Sequence, residues 1–263
     1  MLVVITESIE QGHRTAASLV AQSIKKHPAL RLGLAAGTTP IGVYGSLVDL
    51  HRSTHLDFSG VEFFSLDEFI GLHPSSSQSY RAFFHQHLFR HINANPGNIH
   101  LLQGEAQGDI DSYCHSYEQL IHNRGGIDVQ LLGIGINGHL AFNEPMSSFQ
   151  SRTRACLLST ETRERLAQTF NETEVPEWAV TMGLGTIAEA RALLLLAFGK
   201  AKAKAIAQAV EGPLTAAIPA SSIQLHPHAV VILDSEAAED LKYKKDYQQQ
   251  SSHLAMLLPH GLG

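Results

Sequence analysis

Residues 192–198, ALLLLAF, contain no polar side chain on either alternating face. A strand of that composition must be covered on both sides, which happens in a parallel sheet sandwiched between helices. Shorter, largely apolar runs stand at 31–36 (RLGLAA), 61–66 (VEFFSL), 127–132 (IDVQLL) and 229–234 (AVVILD). Between them lie stretches with apolar residues at helical spacing. Residues 7–26 carry Ile9, Ala16, Leu19, Val20 and Ile24, and Pro28 ends the segment. Similar helices are expected at 40–51, 79–92, 109–123, 160–170, 185–190, 200–211 and 236–243. Further short strands are expected at 1–5, 98–102, 152–158 and 178–182. The sustained alternation predicts an α/β fold with a largely parallel sheet and helices on both faces. No linker or internal repeat divides the chain, so one domain, 1–263, is expected. The tail beyond Tyr243 reads as loosely held.

The 263 residues carry a net charge of −6, which argues against nucleic-acid or anionic-membrane partners. No run approaches the ~18 apolar residues of a membrane span, and the N-terminus lacks a signal-like apolar core. Two cysteines, Cys114 and Cys156, make no disulfide framework and suit a reducing compartment. The expectation is a soluble, cytoplasmic protein. Cys114 falls beside the apolar stripe of its helix and reads as a core residue. His87 and His91 share a helix face but have no accompanying HExxH pattern, which disfavours a metal site.

The densest chemistry lies at 133–145, GIGINGHLAFNEP, directly after a strand. An amide (Asn137), an imidazole (His139) and a carboxylate (Glu144) fall within eight residues. Groups there sit at the carboxyl edge of a parallel sheet, where open α/β folds bind ligands. A histidine near a carboxylate is suited to proton transfer near neutral pH. Gly133, Gly135 and Gly138 match the dinucleotide fingerprint, but Pro145 stands where a long helix should run, and the next strand ends without a ribose-binding acid. A nicotinamide enzyme is therefore disfavoured.

Two other strand ends are candidates. At 37–40, Gly37, Thr38, Thr39 and Pro40 join a strand to a helix, with Thr39 as N-cap and Pro40 in the first turn. Backbone N–H groups, hydroxyls and the helix dipole would make an anion site there, and the same residues also fit a capped turn with no ligand. Asp67 and Glu68 come directly after the strand 61–66; such a pair either faces a ligand or caps the next element of the chain. Lys200, Lys202 and Lys204 open a helix, where cations oppose the dipole unless they grip an anion.

Taken together, AAGTTP (35–40), SLDEFIGL (65–72), GIGINGHLAFNEP (133–145), SRTR (151–154), AVTMGLGTI (179–187) and AIPASSIQLHP (217–227) resemble the glucosamine-6-phosphate deaminase (isomerase) family. The resemblance implies a Rossmann-like, doubly wound fold. It also implies conversion of an amino-sugar phosphate, glucosamine 6-phosphate, to fructose 6-phosphate and ammonia, with no organic cofactor. Asp67 would carry a proton from C2 to C1, His139 would assist ring opening, and Glu144 would hold the imidazole. Asn137 stands where the family often has aspartate. Gly37, Thr38 and Thr39 would bind the phosphate, with Lys202 as cationic partner. Gln168 occupies the position of a phosphate-binding arginine, which Arg163 or Arg165 would have to replace. Ser147 and Arg154 match the family's allosteric site, but Cys156 and Leu157 do not, so activation by N-acetylglucosamine 6-phosphate is not expected. A galactosamine-6-phosphate deaminase, a 6-phosphogluconolactonase and a non-catalytic sugar-phosphate sensor are the alternatives. Oligomeric state is undecided by sequence.

Overall fold

The computed structural model describes residues 1–73, 75–105, 109–168, 170, 175–253 and 262. The chain opens with β1 (Leu2–Thr6) and α1 (Ile9–Lys26), the helix capped by Ser8, whose hydroxyl accepts from the Gln11 N–H. Next come β2 (Arg31–Leu34), α2 (Ile41–Thr54) and β3 (Glu62–Ser65). A three-residue strand, β4 (Asp67–Phe69), precedes α3 (Tyr80–His87), β5 (Ile99–His100), α4 (Ile110–Asn123) and β6 (Val129–Gly133). The second half runs β7 (Arg154–Leu157), α5 (Thr160–Ala167), β8 (Trp178–Thr181), α6 (Leu184–Ala188) and β9 (Ala192–Ala197). It ends with α7 (Ala203–Val210), β10 (Ala229–Asp234) and α8 (Lys244–Ser252).

Seven strands form one sheet in the order β1-β10-β9-β6-β2-β3-β5, and every pair in it is parallel. Read from β5 to β10, the order is that of a doubly wound dinucleotide-type fold, with β1 added at one edge. The helices pack around this sheet, and every residue of strands β9 and β10 is buried. Its topology decides where a ligand can sit. From β2 the chain winds outward to β3, whereas from β6 it winds the other way to β9. The connections after these two adjacent strands diverge and leave a crevice at their carboxyl ends. The loops at 35–40 and 134–145 border that crevice.

The sequence pattern missed a second sheet. Strands β4, β8 and β7 pair antiparallel, in that order, off the main sheet. Leu66 joins the two: its N–H donates to Leu34 in the main sheet, and its carbonyl accepts from Met182 beyond β8. Phe69, Phe142, Leu158 and Ala179 form a separate small core beneath this sheet.

Several local expectations need correction. Thr39 does not cap α2; Pro40 is the cap residue and no side chain caps the first turn, and the helix runs from Ile41 to Thr54. The helix expected at 79–92 ends at His87, where Leu88 leaves the helical region and a 3-10 turn forms at Phe89–His91. Residues 200–202 form a 3-10 turn ahead of α7. Residues 236–243 form turns rather than a helix, and the Asp234 carboxylate before them accepts from the N–H groups of Ala237 and Gly199. The tail as far as α8 is held: Ser251 accepts from the Ile5 N–H on the open edge of β1 at 2.8 Å, and Tyr247 packs on the core; residues 254–261 and 263 lie outside the described residues. Within the described residues, no helix is long and apolar enough to cross a membrane.

Candidate active site

A cavity of about 580 Å³ opens at the crevice between the ends of β2 and β6. Its walls include Gly37, Thr38 and Thr39 after β2, Asp67 after β3, His139 after β6, and Lys202 before α7. Groups separated by more than a hundred residues thus share one chamber.

Asp67 is 6% exposed, and among the described residues its carboxylate has no hydrogen-bond donor. Burial pushes its carboxyl well above the usual carboxylate range, and the neighbouring Glu68 charge adds to the effect. Glu68 points elsewhere. Its two carboxylate oxygens accept from the N–H groups of Phe69, Tyr80 and Arg81, each at 3.0 Å, so it caps α3 from outside. Ser79 caps the same helix from within the chain. One acid of the pair faces the cavity and the other holds the wall in place.

His139 is 8% exposed and also faces the cavity. Its ring lies against the backbone of Gly135, where any Cβ would collide with it. Gly138 takes φ +83°, the left-handed conformation that turns the chain before the histidine. The Nδ1 atom lies 3.6 Å from the Glu144 carboxylate, beyond hydrogen-bond distance, and has no other partner among the described residues. Burial pushes the Glu144 carboxyl up, but the His139 ring, the Thr162 hydroxyl at 2.5 Å and the Asn137 amide at 3.0 Å outweigh it and bring it down to about 2. Asn137 and Glu144 do not line the cavity. Asn137 instead donates to Glu144 and accepts from the His139 backbone N–H at 3.3 Å, so both residues stand behind His139.

Two cations, Lys202 and Arg165, also line the cavity. Gly37 has φ +97°, a left-handed conformation that favours glycine and lets the loop turn its backbone inward. Lys202 donates to the Ile134 carbonyl at 2.7 Å; burial, then the nearby Arg165 guanidinium, lowers its ammonium to about 8. Arg165, from α5, lines the cavity and has no carboxylate in ion-pair range among the described residues. Arg163 does not take this place, since it pairs with Glu177 at 3.1 Å. Gln168 lines the cavity as well. Two cations facing one chamber without a counter-ion form a pocket suited to an anion.

Thr162 is a site residue that the sequence pattern did not single out. It sits three positions before Arg165 on α5 and reaches Glu144 from the same helix. The helical spacing of these two polar residues was the signal available. Arg154 donates to Asn143 and Ser147, so the residues that matched an effector site are tied to one another. Cys114 is buried, and its thiol is pushed up to about 11 chiefly by burial, as a core residue requires. Among the described residues no cluster of three or more His, Cys, Asp or Glu side chains is placed to hold a metal.

A doubly wound parallel sheet with a polar cavity at its topological switch point defines an open α/β protein of the ligand-binding, Rossmann-like class. Residues 6–232 match the model of the glucosamine-6-phosphate isomerases/6-phosphogluconolactonase family, and the chain belongs to that family. Among curated relatives, a glucosamine-6-phosphate deaminase of Thermoanaerobacter pseudethanolicus is 44% identical over 248 residues, covering 92% of this chain and 98% of its own. Glucosamine-6-phosphate deaminase 2 of Bacillus subtilis is 44% identical over 245 residues, with the same coverage of 92% and 98%. Among solved structures, a monomeric glucosamine-6-phosphate deaminase superposes with a TM-score of 0.88 at 39% identity, covering 91% of this chain and 100% of that one. The 6-phosphogluconolactonase of Trypanosoma cruzi, at TM-score 0.73 and 21% identity over 92% of this chain and 97% of that one, shares the fold.

Proposed function

We propose that this chain is a glucosamine-6-phosphate deaminase, converting glucosamine 6-phosphate and water to fructose 6-phosphate and ammonia. The observation that carries the reading is the meeting of Asp67, His139 and a two-cation anion pocket in one cavity. The phosphate lies against the loop 37–39, Lys202 and Arg165, which fixes the sugar along the crevice. His139 exchanges a proton with the ring oxygen and opens the pyranose, and Glu144 and Asn137 keep its ring aligned. Asp67, as carboxylate, removes the proton from C2 of the open aldehyde and returns it to C1. The nitrogen gives up one ammonium proton and the aldehyde oxygen O1 gains one, so C1 becomes a hydroxymethyl group and C2 an iminium; water then adds to C2 and ammonia leaves, giving the ketone. A carboxylate with a raised pKa can both accept and return this proton near neutral pH.

The test is direct. Purified protein with glucosamine 6-phosphate should release ammonia and fructose 6-phosphate in equal amounts; tight binding without turnover would instead indicate a sensor. Gln168 in the cavity wall favours one second reading, in which the C4 epimer, galactosamine 6-phosphate, is the better substrate. The ratio of kcat/KM for the two sugars decides between them.

A further inference from the structure

Helix α1 contributes no residue to the cavity walls, yet one of its side chains touches the supports of both halves of the anion pocket. The Nε2 atom of His13 lies 3.1 Å from the carbonyl oxygen of Thr39, the last residue of the loop 37–39. A carbonyl only accepts, so Nε2 carries the proton and donates. The same ring packs against Phe198 in a T-shaped contact, with centroids 4.9 Å apart and planes at 87°. Phe198 directly precedes the turn 199–202 that delivers Lys202.

Two glycines inside helices make room for this arrangement. A Cβ on Gly42, in the first turn of α2, would run into the His13 ring, and a Cβ on Gly12 would come within 2.5 Å of the Phe198 ring. Glycine inside a helix costs roughly 0.5–1 kcal/mol relative to alanine. Neither glycine has a positive φ to justify it. Their common feature is the His13–Phe198 pair.

We infer that His13 is a positioning residue for the anion pocket: it ties the loop 37–39 to the Lys202 turn and so sets the spacing of the groups that grip the phosphate. The inference rests on the proposed reading of this pocket as the phosphate site. A tie of this kind acts on substrate affinity, because the proton-transfer groups Asp67 and His139 stand elsewhere, on β4 and on the loop after β6.

The experiment measures kcat and KM for glucosamine 6-phosphate, and the inhibition constant of inorganic phosphate, in four proteins. They are the wild type, His13→Phe, His13→Gln and Gly42→Ala. His13→Phe keeps the ring and removes the donor. It should raise both KM and the phosphate inhibition constant about fivefold to tenfold, with kcat within about twofold. His13→Gln restores an N–H and should recover most of the affinity. Gly42→Ala displaces the ring and should reproduce the His13→Phe pattern, giving a second route if that variant folds poorly. Unchanged phosphate affinity in His13→Phe and Gly42→Ala, or a fall in kcat at constant KM, overturns the inference. A wild type that turns over the sugar while phosphate fails to compete overturns the phosphate-pocket reading, and the inference with it. A wild type that binds phosphate but does not turn over the sugar overturns only the proposed reaction, and the His13 comparison still stands on phosphate binding.

Discussion

Asp67 and Glu68 are adjacent acids with opposite duties: Glu68 accepts from two backbone N–H groups at the start of α3 and from that of Phe69, while Asp67 has no donor among the described residues and faces the cavity. The short antiparallel strand that holds them turns consecutive side chains to opposite faces, which separates the two roles. An acid left buried and without donors is costly to ionise, and that cost is useful in a group that must take and return a proton.

Asp67→Asn should therefore lose activity and gain stability. The loss in kcat should be about 10²–10⁴-fold, the range of a general acid–base group. The stability sign comes from linkage. With the folded pKa raised above the unfolded value, the native state binds the extra proton, so wild-type stability falls as pH rises between the two pKa values. The amide escapes that fall. Melting curves should show Asp67→Asn above the wild type at pH 8 and level with it near pH 4. A melting temperature at pH 8 equal to or below the wild type would contradict the burial argument.

Glu68→Gln should act through its neighbour. Losing the charged cap on α3 should destabilise the fold by about 0.5–2 kcal/mol. The Glu68 charge also raises the Asp67 carboxyl, so its removal should move the acid limb of the kcat/KM profile to lower pH. A limb that stays in place would mean that burial alone sets the Asp67 proton.

The anion pocket gives the alkaline limb. Lys202, lowered to about 8 by burial and then by Arg165, loses its charge as pH rises through that value, and KM should climb there while kcat holds. Arg165→Ala should raise KM about tenfold to a hundredfold at pH 7, as expected for a lost charge-assisted bond. It should also shift the alkaline limb upward, because the repelling guanidinium is gone. Arg163→Ala, which breaks only the Glu177 pair, should leave both features unchanged.

Much of this fold was legible because its strands are apolar on both faces and its helices keep their periodicity; residues 192–198 and 229–234 allowed little else. The small sheet was not, since β4 consists of two acids and one phenylalanine, and a buried acidic strand contradicts every compositional rule. The cavity groups Asp67 and His139 were found through their places at strand ends and the family motifs. Asn137 and Glu144 were expected in the site from the same motif; their position behind the imidazole, off the cavity wall, depends on a loop conformation that spacing alone does not set. Arg165 stayed one of two choices until the turn of α5 placed it in the cavity and sent Arg163 to Glu177. The interior glycines Gly12 and Gly42 carried a signal that only the His13–Phe198 contact explains.

Support of the imidazole can be separated from phosphate binding through Thr162. Glu144 is half-buried and held down to about 2 by partners that include two neutral donors, the Thr162 hydroxyl and the Asn137 amide. With a folded pKa below the unfolded 4.5, Glu144 contributes stability that is complete above about pH 4.5 and declines as pH falls toward 2. Thr162→Val keeps the shape of the side chain and removes the donor. A hydrogen bond to a charged group is worth about 1.5–3 kcal/mol, so the variant should lose stability of that order at pH 7 and progressively less below pH 4.5. Catalysis should suffer through orientation: the carboxylate stays ionised at neutral pH but is freed from α5, and kcat should drop about tenfold with KM nearly constant. Because Thr162 and Arg165 share α5, the KM comparison separates them: Arg165→Ala moves KM, Thr162→Val moves kcat. If Thr162→Val instead raised KM at constant kcat, the Glu144 bond would be serving to dock α5 against the phosphate pocket rather than to steady His139.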